Sequence, residues 1–278
     1  MRKIEFTKIV ASGNDFVIVD NIRGSIKNNL KLFAKNACNR KFGIGADGLI
    51  LVEKSKIVDF KMRIFNPDGS EAEMCGNGAR AISLFAFENK IAKTTMFFET
   101  KAGIIEAKVL NKNCVKIKTT PPKNVKLDVF IKVNKKPICI NFIDTGVPHT
   151  VIFVNGLENI DVFGIGRLIR NHPKFMPRGT NVDFIEVFNK NSLKIRSYER
   201  GVEDETLACG TGSVASAIIF AIKSGALDLS KVNVITRSRE TLKVSFDRCG
   251  NEFSNVWLEG KVKKSFEGVL SVTKLRRI

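Results

Sequence analysis

One pattern occurs twice in this chain, and it constrains the fold more than any other. Residues 65–85 read Phe-Asn-Pro-Asp-Gly-Ser-Glu-Ala-Glu-Met-Cys-Gly-Asn-Gly-Ala-Arg-Ala-Ile-Ser-Leu-Phe. Residues 198–220 read Tyr-Glu-Arg-Gly-Val-Glu-Asp-Glu-Thr-Leu-Ala-Cys-Gly-Thr-Gly-Ser-Val-Ala-Ser-Ala-Ile-Ile-Phe. Each has an acidic loop, a Cys-Gly-x-Gly turn and an apolar run rich in small residues. The two cysteines, Cys75 and Cys209, lie 134 residues apart in a chain of 278. A repeat at nearly half the chain length predicts two copies of one structural unit. Small residues at Ala79, Ala81 and Ser83, and at Ala215, Ser216 and Ala217, suit helices buried on all sides.

The rest of the chain reads mostly as short strands with period-two alternation. Helical periodicity is confined to Ile26–Asn39, Asn77–Asn89, Gly210–Ser224 and, weakly, Leu157–Arg170. Pro121-Pro122 is the clearest break near the middle. Many strands with few helices predict an α+β protein. With 44% hydrophobic and 27% charged residues the composition is that of an ordered globular protein. The longest apolar run, Val214–Ile222, falls far short of the ~20 residues a membrane span needs. Glu5, Thr7 and Lys8 break any signal-type apolar segment after Met1. The expectation is a cytoplasmic protein without membrane association.

The formal charge is +18, from 46 Lys and Arg against 28 Asp and Glu. Such a balance raises nucleic-acid binding. The basic residues are scattered, however, and the densest clusters, 261–264 and 275–277, are short and lack interleaved aromatics. A solvated basic surface is the better reading, with no nucleic-acid partner. None of the six cysteines forms a CxxC pair, so no metal site is expected. Cys38, Cys114, Cys139 and Cys249 read as packing or turn residues.

Three segments match a dinucleotide fingerprint, at Gly43–Gly48, Gly76–Ala81 and Gly210–Ala215. That fingerprint must follow a buried strand inside a βαβ unit. Here it follows polar stretches each time, and no phosphate-loop Gly-Lys-Ser/Thr is present. The cysteines offer a better reading. A cysteine opening a helix sits at the positive end of the dipole, which lowers a thiol pKa from about 8.5 towards 3.5–7.5. The first-turn N–H groups of Gly76, Asn77 and Gly78, and of Gly210, Thr211 and Gly212, form anion sites. Two sulfurs flanking one substrate carbon fit inversion by proton transfer, with a thiolate base and a thiol acid on opposite faces.

At these residues the chain resembles the diaminopimelate epimerase family across essentially its whole length. The motifs are Ala11–Phe16, Gly43–Asp47, Phe65–Glu71, Met74–Arg80, Gly146–His149, Gly179–Asn181, Glu199-Arg200 and Ala208–Gly212. The resemblance implies a cofactor-independent epimerase interconverting LL- and meso-2,6-diaminopimelate in lysine and peptidoglycan precursor biosynthesis. It implies two similar α/β domains, each a strand layer wrapped around a central helix, with the active site in the cleft between them. The domains would be 1–119 and 120–264, with 265–278 returning to the first. Cys209 would be the base and Cys75 the acid in the LL-to-meso direction. His149 would sit near the cysteines and influence their protonation. Glu199 is the remaining residue expected to act in the chemistry. Substrate contacts would fall on Asn14, Asn66, Gly76, Asn77, Asn181, Glu199, Arg200, Gly210 and Thr211. Arg200 suits a bidentate grip on the distal carboxylate and Glu199 the distal ammonium.

The chain departs from some family members at Gly48, where they have Gln, and at Val147, where they have Asn. A related racemase acting on proline or hydroxyproline is the nearest rival. Asn77, the Glu-Thr-Leu-Ala preceding Cys209 and the Glu199-Arg200 pair argue against it. Oligomeric state is left open, a homodimer included.

Overall fold

The computed structural model describes residues 2–26 and 29–272. It divides into two compact units, one running to Ile117 and resuming at Gly260, the other spanning Lys118–Glu259.

In the first unit, β1 (Arg2–Ala11) and β2 (Asn14–Asp20) form a hairpin through Ser12 and Gly13, both at positive φ. Helix α1 (Leu30–Cys38) follows, opened by Asn29 in the left-handed conformation, so the helix starts later than the periodicity from Ile26 predicts. It buries Phe33, Ala34, Ala37 and Cys38 against Val17, Leu49 and Leu51. The chain then returns as β3 (Gly48–Glu53), parallel to β2 and antiparallel to β4 (Phe60–Phe65). The two-residue strand β5 (Glu71–Ala72) pairs with β4 and leads into α2 (Gly76–Glu88). Beyond it come β6 (Thr95–Thr100), parallel to β4, then the antiparallel β7 (Gly103–Asn111) and β8 (Cys114–Lys118). The strand Lys263–Val272 pairs antiparallel with β1.

The second unit runs through the same sequence of pairings. Strands β9 (Lys123–Val133) and β10 (Lys136–Asp144) form a hairpin, and β11 (Pro148–Phe153) continues antiparallel to β10. Helix α3 (Val162–Arg170) crosses to β12 (Asn181–Asn189), parallel to β11. A short 3₁₀ turn at Leu157–Asn159 precedes α3, and Asp161 caps the helix by accepting from Gly164 N–H at 2.8 Å. The weak periodicity over Leu157–Arg170 therefore spans two helical pieces. Strands β13 (Ser192–Glu199) and β14 (Asp204–Thr206) are antiparallel, and α4 (Gly210–Lys223) leads to β15 (Lys231–Ile235), parallel to β13. Antiparallel β16 (Thr241–Cys249) and β17 (Glu252–Lys261) complete the series, and β18 is the strand Lys263–Val272 already placed against β1. Internally, β9 stands to β10 as β18 stands to β1.

The two cysteine-capped helices are the core of their units. Every residue from Asn77 to Ala86 in α2, and from Gly212 to Ala221 in α4, is buried. Strands β1, β2, β3, β4 and β7 surround α2; β10 to β13, β15 and β16 surround α4. This is why neither helix shows a polar stripe: no face meets water. Buried hydroxyls are satisfied along the helices, Ser83 on the Ala79 carbonyl at 2.7 Å and Ser213 on the Cys209 carbonyl at 2.8 Å. Gly78 lets α2 close on its sheet, because a Cβ there would lie 3.1–3.3 Å from Ile64, Ile50 and Met62. Truncating a fully buried side chain of α2, as in Ile82→Ala, costs about 2–5 kcal/mol. The structure shows α+β architecture with a strand layer wrapped around one central helix in each unit. Of the returning segment expected at 265–278, residues 273–278 lie outside those described.

Candidate active site

Each cysteine is the N-cap of its helix. Cys75 is extended (φ −142°, ψ 121°), and its sulfur accepts from Gly78 N–H at 3.5 Å. Cys209 adopts the same conformation (φ −103°, ψ 113°), and its sulfur accepts from Gly212 N–H at 3.3 Å. A thiolate takes such a bond more strongly than a thiol, so the cap favours charge on sulfur. The N–H groups of Gly76 and Asn77, and of Gly210 and Thr211, belong to the first turn and have no carbonyl four residues back inside the helix. Each unit thus carries a sulfur beside an anion cradle.

The two surroundings differ. Cys75 is partly exposed, whereas Cys209 is buried. Burial pushes the Cys209 thiol well up, helped by the carboxylates of Glu199 and Asp183; Thr211 and Gly212 N–H pull it back only in part. The lowered thiol pKa expected at a helix start is therefore overridden at Cys209, because losing water costs a thiolate more than one dipole returns. Glu199 is placed to take the proton. Its carboxylate accepts from Thr206 Oγ1 at 2.5 Å and from the Cys209 thiol, and burial holds its own pKa up. This puts Glu199 beside the Cys209 sulfur.

Around Cys75 the expected Asn14 and Asn77 come together in a relay of fixed direction. Arg80 Nη2 donates to Asn77 Oδ1 at 2.7 Å and to Ser12 Oγ at 2.8 Å. Asn77 Nδ2 donates to Asn14 Oδ1 at 2.7 Å, and Asn14 Nδ2 to Asp47 Oδ2 at 3.1 Å. Because Asn77 Oδ1 is taken by a cation, its amide is oriented as a donor, and Asn14 follows. Asp47 is tied in turn to Arg40, which also grips Asp15. Burial pushes the Asp15 carboxyl up, but the bonds from Arg40 and Lys8 outweigh it and hold it well below the usual range. Asn66 lies in the exposed β4–β5 turn, donating to Ser70 Oγ at 3.0 Å.

In the second unit Asn181 knots two segments together. Its Nδ2 donates to the Pro148 carbonyl at 3.1 Å, and its Oδ1 accepts from Arg200 N–H at 2.8 Å. Arg200 Nη1 donates to the Arg178 carbonyl at 3.0 Å. Burial lowers the Arg200 pKa, reinforced by the neighbouring charges of Arg178 and Arg170. Such a crowded guanidinium gains most from an incoming carboxylate. His149 is fully buried against Asp183, Nδ1 to Oδ2 2.7 Å. A separate concavity of about 660 Å³ around Lys132, Phe163, Arg167 and His172 contains none of these residues in its walls.

With this geometry in place, comparison with known proteins decides the family. The sequence profile of diaminopimelate epimerases matches residues 6–125 and 141–264. The chain belongs to the diaminopimelate epimerase family. It is 43% identical to a diaminopimelate epimerase of Aquifex aeolicus, covering 96% of this chain and 98% of the relative. It is 39% identical to one from Archaeoglobus fulgidus, covering 99% of each. Among solved structures, a Bacillus anthracis phenazine biosynthesis protein of the PhzF family superposes with a TM-score of 0.72 at 18% identity, covering 98% and 100% of the two chains. A hydroxyproline epimerase from Agrobacterium vitis superposes at 0.70 and 15% identity, covering 97% and 92%. At such identities the likeness establishes a shared fold.

Asp47, Arg80, Asp183, Ser197 and Thr206 are neighbours of these groups that the sequence reading did not select as site residues. Asp47 ends the Gly43-Ile-Gly-Ala-Asp47 motif, and a polar residue closing a glycine-rich turn was a usable signal. The other four sit inside helix or strand patterns that hide them. Among the described residues no group of His, Cys, Asp and Glu is arranged to hold a metal, and no helix is long and apolar enough to cross a membrane.

Proposed function

We propose that this protein epimerises LL-2,6-diaminopimelate to the meso isomer by a two-cysteine mechanism without a cofactor, as a cytoplasmic step towards lysine and peptidoglycan. The observation that carries the reading is the twofold one: each unit presents a cysteine as N-cap of a buried helix, its sulfur bonded to the third-position N–H. Inversion at an α-carbon needs a base on one face and an acid on the other. Glu199 accepts the Cys209 proton, and the resulting thiolate removes the α-hydrogen as a proton. The electron pair left on carbon delocalises into the α-carboxylate, where the first-turn N–H groups of both helices stabilise it. The Cys75 thiol then delivers its proton to the opposite face, and the reverse reaction exchanges the roles.

Asn14 and Asn77, fixed as donors, hold the polar groups around the reacting carbon. Arg200 takes the distal carboxylate, and Asn66 and Asn181 complete the grip. The partner is thus a small amino acid; the scattered positive charge serves solubility, and a homodimer is compatible with the reading. Incubating reduced protein with LL-diaminopimelate in D₂O tests it. Deuterium entering the α-position together with the meso isomer is the expected result. Absence of both, with the thiols shown to be reduced, refutes the substrate and directs attention to Val147 and Gly48.

A further inference from the structure

The buried pair at the Cys209 half-site contains more than a histidine. Asp183 pairs directly with Ser197 across β12 and β13, and His149 lies on the adjoining strand β11. His149 and Asp183 are both 0% exposed. Ser197 Oγ donates to Asp183 Oδ1 at 2.6 Å, and Oδ2 lies 2.7 Å from His149 Nδ1. A carboxylate has only acceptors to offer, so the proton between the two residues would come from Nδ1. The other ring nitrogen, Nε2, is buried without a hydrogen-bond partner among the described residues. A buried nitrogen left this way costs about 1–3 kcal/mol, which a purely structural histidine would avoid by forming a second bond.

The same carboxylate also explains a glycine. A Cβ at Gly212 would sit 2.4 Å from Asp183 Oδ1 and 3.2 Å from the Cys209 Cβ. The first turn of α4 thus closes directly onto Asp183. The matching Gly78 of the first unit faces only apolar side chains. His149 is near enough to Glu199 to act on that carboxylate electrostatically.

We propose that Asp183 is a positioning residue: it holds His149 as the Nδ1–H tautomer, so that the Nε2 lone pair faces the proton traffic of the Cys209 half-site. The inference rests on the epimerase reading above for the reaction, but not for the tautomer. An aspartate that fixes an imidazole tautomer is the logic of the serine-protease triad, where the Asp-to-Asn change lowers kcat by about 10⁴. Asp183→Asn keeps the shape and the bond to Ser197. Its amide, however, donates to Nδ1 and transfers the imidazole proton to Nε2.

The chain has only two histidines, His149 and His172, so ¹⁵N spectra of the imidazoles resolve the tautomer without substrate. The wild type is expected to show protonated Nδ1 and bare Nε2 at His149, and Asp183→Asn the reverse. With LL-diaminopimelate, kcat is expected to fall on the order of 10²–10⁴-fold while KM stays within about threefold, since Asp183 is fully buried. Ser197→Ala removes the second bond to the carboxylate; a loss of kcat on the order of tenfold is expected, and this variant serves if the Asp183→Asn protein does not fold. Protonated Nε2 in the wild type overturns the proposal, as does a reversed tautomer with unchanged kcat. A wild-type protein with the expected tautomer but no activity on diaminopimelate refutes the substrate assignment and leaves the positioning role standing.

Discussion

Replacing Gly212 by alanine tests the coupling between the second helix start and its carboxylate. The new methyl would meet Asp183 Oδ1 at 2.4 Å and Cγ at 3.0 Å, inside any tolerated contact. Neither atom is at the end of a flexible chain, because Asp183 is held by His149 and Ser197. The helix or the carboxylate must move by close to an ångström. Overpacking of this kind costs about 1–3 kcal/mol. Weakening a charge-assisted hydrogen bond adds about 1.5–3 kcal/mol. The helix-propensity gain of alanine over glycine returns at most about 1 kcal/mol. The net is a destabilisation of roughly 2–5 kcal/mol by these figures. At about 2–4 °C per kcal/mol for domains of this size, Tm drops by on the order of 4–20 °C. Gly78→Ala is the control: its new methyl meets the flexible ends of Ile64, Ile50 and Met62 at 3.1–3.3 Å, so the propensity gain offsets most of the strain. Differential scanning calorimetry of both variants, with turnover, decides. A Gly212→Ala protein as stable and active as the wild type, or a larger loss for Gly78→Ala, refutes the argument.

Three further outcomes follow from the same geometry. Cys75→Ser and Cys209→Ser each lower turnover on the order of 10²-fold or more with Tm nearly unchanged, and near-normal turnover in either sinks the two-thiol mechanism. Asp47→Ala removes the acceptor that orients Asn14, so KM for diaminopimelate rises on the order of tenfold with a smaller change in kcat, as steady-state kinetics would show. Arg63, with Lys101, holds the Glu71 carboxyl down at about 2, against burial that pushes it up. Its folded pKa is depressed, so the stabilisation is present above about 4.5 and is lost as pH falls towards 2, worth at most about 3 kcal/mol. Tm measured against pH should fall less steeply over that window in Glu71→Gln; an unchanged slope excludes the ion pair as a source of acid sensitivity.

The repeat, the two buried helices and the cysteine caps were legible because they rest on local signals: a duplicated motif and apolar runs of small residues. Strand β3 was not, since Gly-Leu-Ile-Leu-Val-Glu is buried on both faces beside a parallel neighbour and shows no alternation. Strands β5 and β14, with two and three residues, are shorter than any period. Asp183 was hidden between Val182 and Phe184, in a run whose burial pattern is uniform. Its partners Ser197 and His149 come from other strands, and no spacing in the chain encodes that meeting. Arg80 carried no signal of its own, yet it is fully buried and directs the Asn77 amide. The Cys209 environment was misjudged for the same reason: a helix start is visible in sequence, but the water it loses is not.

The pairing of β18 with β1 has a consequence for the order in which the protein can be made. Unit Lys118–Glu259 is contiguous and carries its own closing strand, β9, at its beginning. The other unit begins first but receives its equivalent strand only from residues 263–272, across a gap of the whole second unit. During synthesis, the first half therefore waits with an open edge beside β1 while the second half completes itself. Contacts so distant in sequence form slowly, and an unpaired strand edge is a site for wrong partners. The ribosome thus delivers the second unit as the first one able to finish folding, reversing the usual N-to-C sequence of domain maturation.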